Sequence, residues 1–186
     1  MAARSLTPRV RSANSIITRA RAVKLALFDV DGVFTDGTVY FSSRGEALKA
    51  FNILDGHGIK MLRAGGIEPA ILSGRRSGAV TQRARELGIR HVMLGVSDKR
   101  AEFQRLLARL KLDPAQASHM GDDLPDLPVM RQCGIALAPP NAHALILDHA
   151  HHVTQACGGH GAVREACEWL LTAQGKLDGL LAEYLH

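Results

Sequence analysis

What most constrains this chain is an alternation. Short apolar runs are separated by stretches with helical spacing, and the runs stop at polar residues. Val23–Val30 (VKLALFDV) is apolar through its middle, as a strand buried on both faces of a parallel sheet would be, and it reaches acids. Ile67–Leu72 stops at SGR, His91–Leu94 (HVML) leads toward a helix from Lys99 to Leu110, and Ala117–Met120 ends in GDD. Between them the spacing predicts a helix from a cap at Asp55 through Arg63, ended by Gly65 and Gly66. Another runs over Ser77–Leu87 and is closed by Gly88. Beyond GDD come a brief helix in LPDLPVMRQC, a strand at IALA, a helix in NAHALILDHA and a last edge strand at HHVT. A helix over Val163–Leu171 and a polar, loose end follow. Gly37–Phe51 carries two β-rich pieces around SSRGE and reads as a hairpin.

Strand–helix alternation of this kind predicts an α/β fold: a Rossmann-like three-layer αβα arrangement around a mainly parallel sheet, with a protruding β-hairpin. The expected organisation is a flexible basic arm over 1–22, one folded domain over 23–175 and a C-terminal tail over 176–186. A length of 186 residues suits one such domain.

Charge location narrows the function classes. The net charge is +5 and the pI 9.4, values that invite a polyanionic partner. Six of the 23 basic residues, however, lie in residues 1–24, which hold no acid; the remaining 17 face 18 acids. The excess is therefore in the arm, and a nucleic-acid-binding face on the body is not expected. Aromatic residues at 4% argue against stacking platforms for single strands. The arm reads as an extension into a short first helix; its Arg- and Ser-bearing, acid-free composition would also suit a mitochondrial presequence. No apolar stretch approaches the roughly 20 residues that cross a bilayer. Cys133, Cys157 and Cys167 form no CxxC pair, which fits reduced thiols in a cytoplasmic protein.

Ligands of open parallel sheets bind outside the carboxyl ends of the strands. Here those ends deliver Asp29 and Asp31, then Ser73 and Arg75, then Lys99, then Asp122 and Asp123. Any one acid alone reads as a helix cap, but four strands agree. Asp29 and Asp31 are two apart, on one face if the strand continued, and Gly32 lets the backbone turn. Acids packed this closely suit a hard divalent cation, Mg²⁺ when phosphate is the substrate. One carboxylate would then attack phosphorus and another would move the proton.

DVDGV, LSGR, DK and GDDLPD stand in the order and context of the four motifs of the haloacid dehalogenase-like phosphatase superfamily, which the chain resembles. FDVDGVFTDGTVYFSSRGEALKAFNILDGHGIKML, GDDLPDLPVM and GGHGAVREACEWLLTAQGKLD are similar to the 3-deoxy-D-manno-octulosonate 8-phosphate (KDO 8-phosphate) phosphatases. The resemblance spans about residues 20–178. It implies a cap-less fold of that superfamily and a Mg²⁺-dependent phosphatase acting through an aspartyl phosphate in lipopolysaccharide precursor synthesis. A nine-carbon sialic-acid-type 9-phosphate is the alternative substrate, and a non-catalytic binding module on this fold the alternative class.

Carried over residue by residue, the resemblance makes Asp29 the nucleophile, Asp31 the general acid/base, and Ser73 and Lys99 the phosphate-positioning pair. Asp29, the Asp31 carbonyl and Asp122 would hold Mg²⁺, with Asp123 and Asp126 orienting them. Substrate contacts would come from Asp31, Asn52, Ile53, Leu54, Asp55, Gly56, Lys60, Arg75, Arg83 and Lys99. For Asn52 and Asp55 the competing reading is helix capping; for Arg83, a solvated helix face. The family also implies a homotetramer, with the hairpin packed between subunits and the tail reaching a neighbouring site. The tail departs from the family in having His160 where Arg is usual. The other histidines, including His57, His119, His151 and His152, lack ligand spacing and read as structural or surface residues.

Overall fold

The computed structural model describes residues 13–43 and 45–185. Helix α1 (Ala13–Arg21) precedes β1 (Leu25–Phe28), a hairpin of β2 (Tyr40–Ser42) and β3 (Gly45–Leu48), and α2 (Ile53–Ala64). Then β4 (Glu68–Ser73), α3 (Gly78–Leu87), β5 (His91–Leu94), α4 (Lys99–Leu110) and β6 (Ala117–Met120) follow in regular alternation. The last third holds α5 (Leu127–Met130), β7 (Ile135–Ala138), α6 (Ala144–His149), β8 (His152–Val153), α7 (Ala162–Ala173) and α8 (Leu177–Ala182).

Six strands form one parallel sheet in the order β5-β4-β1-β6-β7-β8, and the hairpin is a separate antiparallel pair. The expected α/β architecture is thus the one observed. Strand periodicity splits the core. Ala26 and Phe28 of β1 face one cluster with Ile59, Leu62, Val163 and Leu170, whereas Leu25 and Leu27 face another with Phe103, Leu106 and Met130. Helices α1, α2, α3 and α7 therefore cover one face, and α4, α5 and α6 the other. Local chemistry sets the helix ends: Asn52, Ser77 and Asp98 cap α2, α3 and α4 through backbone N–H groups, and Gly88 closes α3 in the left-handed region.

Three expectations change. Residues 13–21 of the expected flexible arm are a docked helix: Ala20 is buried, and Ile16 and Ile17 pack on the core. Arg21 Nε donates to the Ala173 carbonyl at 3.1 Å, and Gln174 Nε2 donates to the carbonyls of Ala20 and Val23. Residues 1–12 of that arm lie outside the described residues. Helix α2 starts before Asp55, because Asn52 supplies the cap and Asp55 points into the protein. The end expected to be loose contains α8, and Tyr184 Oη lies 3.0 Å from His57 Nε2. The three cysteines are free thiols; burial pushes Cys133 up to about 12.

Candidate active site

The carboxyl ends of β1, β4 and β6 are adjacent in the sheet, and this adjacency assembles the site. Asp29 continues the ladder one residue past β1, its N–H donating to the Met120 carbonyl at 2.9 Å. The chain then turns at Gly32, whose φ is +83°. A Cβ on Gly32 would stand 2.0 Å from Asp122 Oδ2, so glycine here permits both the turn and the close approach of Asp122. Asp122 leaves the end of β6 on the far side of that loop.

Lys99 begins α4 directly after its Asp98 cap and turns inward, 6% exposed. Its ammonium lies 2.9 Å from Asp29 Oδ2 and 2.7 Å from Asp126 Oδ1. The same Asp126 oxygen lies 2.8 Å from Nε2 of His119, which is fully buried in β6. Asp29 Oδ1 and Asp126 Oδ2 are both buried and have no hydrogen-bond partner among the described residues. One carboxylate oxygen from each of Asp29, Asp122 and Asp126 lies within 4.8 Å of the others.

Such crowding is visible in the titration of the acids. Burial, then Asp126, pushes the Asp29 carboxyl up despite Lys99. Burial also raises Asp126, but the hydrogen bond from His119 and the Lys99 ammonium outweigh it and hold that group below the carboxylate range. Asp122 is pushed up to about 7 by burial and then by Asp29, Asp126 and Asp123. Burial alone would pull Lys99 down; Asp126 and Asp29 more than offset it. An all-carboxylate donor set with unpartnered buried oxygens fits a hard divalent cation, which would neutralise this repulsion.

Asp31 has different partners. Its carboxylate pairs with Lys49 of the hairpin base and lies 3.5 Å from Arg75 Nε. Glu46 ties this side together by accepting from Ser77 Oγ at 2.5 Å and from Arg75 Nη2 at 3.4 Å; the Arg75 guanidinium also sits 5.6 Å from the Phe41 ring. Ser73, at the end of β4, is buried, and its Oγ accepts from the Arg75 N–H at 3.4 Å.

The other expected residues divide. Asn52 is spent on capping α2, and its Nδ2 donates to the Gly159 carbonyl at 3.4 Å. Asp55 is 1% exposed and accepts from the Arg164 N–H at 2.8 Å, so it serves the first turn of α7, whose Gly161 cap offers no side chain. Gly56 lies under Arg83, which pairs with Glu86 at 2.9 Å and donates to the Asn52 carbonyl. Ile53, Leu54 and Lys60 are exposed on α2. Asp123 is exposed and caps the short turn Leu124–Asp126, so the turn-cap reading holds for it.

Sequence reasoning passed over Lys49, Glu46 and His119. A charged pair at a hairpin base and a histidine inside a buried strand are the available signals. Neither says which carboxylate it meets, since that depends on strand order: β6 places His119 beside Leu27, two residues before Asp29.

The pattern of the haloacid dehalogenase-like hydrolase family matches residues 89–164. The chain is 48% identical over 167 residues to the 3-deoxy-D-manno-octulosonate 8-phosphate phosphatase KdsC of Yersinia pestis, covering 90% of this chain and 89% of that protein. It is 45% identical to KdsC of Escherichia coli K12, covering 88% and 87%. The fold superposes with a TM-score of 0.90, at 38% identity, on the phosphatase of that name from Moraxella catarrhalis, whose crystal structure contains a magnesium ion, a phosphate ion and KDO; 93% of this chain and 99% of that one are covered. With such identity over nearly its whole length, the chain belongs to the family of 3-deoxy-D-manno-octulosonate 8-phosphate phosphatases, within the haloacid dehalogenase-like hydrolases.

Proposed function

We propose that the protein is a Mg²⁺-dependent phosphomonoesterase that hydrolyses KDO 8-phosphate to KDO and phosphate, a step of lipopolysaccharide precursor synthesis. The observation that carries this reading is Asp29: a buried carboxylate with one oxygen on Lys99 and the other bare, beside Asp122 and Asp126. A carboxylate oxygen without a hydrogen-bond partner is poised to attack phosphorus, forming an acyl phosphate as the ester P–O bond breaks. Asp31 gives its proton to the departing sugar oxygen and then takes one from the water that cleaves the acyl phosphate. Lys99 and Ser73 hold the phosphoryl oxygens, whose charge redistributes during transfer.

Asp29, Asp122 and the Asp31 carbonyl would hold Mg²⁺, which when bound offsets the charge of the acids and of the phosphate. Arg75, exposed beside the hairpin's Glu46, and Lys60, exposed in the second half of α2, are the right cations for the carboxylate of a sugar acid. The family's homotetramer is part of this reading. Tyr40, Phe41 and Leu48 expose apolar surface on an isolated two-stranded hairpin, which is marginal unless packed on something. A cytoplasmic protein fits the free thiols and the lack of any membrane-spanning helix among the described residues.

Phosphate release from KDO 8-phosphate, a nine-carbon sugar-acid 9-phosphate and simple hexose phosphates, with Mg²⁺ or with EDTA, tests the proposal. The highest kcat/KM is expected on KDO 8-phosphate, and only with Mg²⁺. A higher value on the nine-carbon ester would reassign the substrate and keep the chemistry. No Mg²⁺-dependent release from any ester would remove both.

A further inference from the structure

His119 is a buried titratable group that the mechanism above leaves unused. It is fully buried in β6, on the same face of the sheet as the apolar contacts of Leu25 and Leu27. A histidine that served only to fill this layer would be a poor choice. Its Nδ1 has no hydrogen-bond partner among the described residues, and burying an unmet polar atom costs free energy that leucine or methionine would not incur. What the imidazole gains in return is one contact, Nε2 at 2.8 Å from Asp126 Oδ1. Because a carboxylate oxygen can only accept there, Nε2 carries the hydrogen.

That contact matters because of what already sits on the same oxygen. Lys99 donates to Asp126 Oδ1 at 2.7 Å while bridging to Asp29. A carboxylate held by one flexible lysine can swing and offer it either oxygen. With two donors on Oδ1, the carboxylate is fixed, and Oδ2 is left buried and without a partner. Asp29 shows the same division, Oδ2 on Lys99 and Oδ1 bare, and both residues belong to the cluster of three acids.

We propose that His119 is a positioning residue for the cation site, holding Oδ1 of Asp126 so that Oδ2 stays committed to the Asp29–Asp122–Asp126 cluster. It touches neither substrate nor reacting atoms and acts through Asp126. Partners that orient metal-binding carboxylates typically change metal affinity or activity by about 10–100-fold when removed. The inference rests on the functional reading above, since it takes the cluster to be a cation site.

The test uses the full-length protein stripped of metal, with Mg²⁺ and Mn²⁺ binding followed by calorimetry and Mn²⁺ by electron paramagnetic resonance. Kinetics on the best sugar phosphate run alongside. His119→Leu should weaken cation binding by about 10–100-fold and lower kcat at fixed Mg²⁺, with KM for the ester shifting less than about threefold. His119→Gln, whose amide N–H can still reach Asp126, should recover cation binding to within about fivefold of wild type, and the shorter His119→Asn should not. If the leucine variant does not fold, the Gln and Asn pair gives the same decision between two polar side chains of different reach. Wild-type affinity in His119→Leu, or equal losses in Gln and Asn, would overturn the proposal and leave a packing role. A wild-type protein that binds neither cation would overturn the functional reading itself.

Discussion

Asp29 and Asp31 are separated by one residue, yet they belong to two differently built sides of the site. The inner side consists of Asp29, Lys99, Asp122, Asp126 and His119, which come from strand ends, a helix start, the turn Leu124–Asp126 and one buried strand position. The outer side consists of Asp31, Arg75, Lys49 and Glu46, and two of these come from a hairpin whose Tyr40, Phe41 and Leu48 are exposed. Asp29, Lys99 and Asp126 are buried and two carboxylates share one ammonium, so removing that cation leaves both acids uncompensated. Among the outer groups, Arg75 is in contact with solvent, where ion pairs are weaker and salt-screened. The difference sets a wall of buried, mutually dependent charges around Asp29 against a rim around Asp31 whose partners reach the surface.

The largest expected effect is on the inner side. Asp29→Asn should reduce phosphate release by more than about 10⁴-fold, as removal of a nucleophile does, without lowering the melting temperature of the metal-free protein. Stability is retained because Asp126 and Asp122 lose a repelling neighbour. Sustained Mg²⁺-dependent turnover would break the assignment of the inner wall to chemistry. Next comes Lys99→Met, which should lower kcat by about 10²–10³-fold. It should also lower unfolding free energy in urea by about 3 kcal/mol or more, because Asp29 and Asp126 are then buried without their shared cation. A loss of activity with unchanged stability would contradict the buried-pair account.

Acidity separates the two sides on a finer scale. Burial, followed by repulsion from Asp29, Asp126 and Asp123, holds Asp122 at about 7 in the metal-free protein, above the 3.8 of a free aspartate. Its folded pKa exceeds the unfolded one. The stability it contributes is therefore complete below about pH 4 and is lost as pH rises through 7. A cation takes over where the proton leaves. Saturating Mg²⁺ should then raise the melting temperature little at pH 5 and most above pH 7; equal rises at both would show that these carboxylates do not bind it. The smallest effect belongs to the outer rim. Phe41→Ser should change unfolding free energy by no more than about 0.5 kcal/mol while weakening self-association in sedimentation experiments. A large loss of stability in the monomer would place the hairpin with the inner wall.

Much of this was legible before any coordinates. Lys99–Leu110, Ala117–Met120 and Ile135–Ala138 have the ends that their apolar spacing and caps foretell, since those signals are local. The residues brought to the rim were legible too, because strand ends and the turn at Gly32 are written in short runs. Asp55 was not. Its type and place suit a cap for its own helix, yet it serves α7, more than 100 residues away in sequence. The short first helix was expected, but its docking was not, for a related reason: Ala13–Arg21 carries Arg19 and Arg21, and its burial depends on α7 and β7 being there to receive it.

By itself the sequence determined the class of fold and the acids gathered at the strand ends, to which the family resemblance added the four motifs. The fold class and the placing of the acids follow from periodicity, turn chemistry and residue type, all of which act over a few neighbours. Only the tertiary structure decided which charges meet. Strand order put β6 beside β1, so that His119 and Lys99 converge on one oxygen of Asp126, and it put Lys49 on Asp31. Electrostatic interactions depend on distance through space and on burial, and a parallel sheet sets both through crossovers that no short stretch of sequence records.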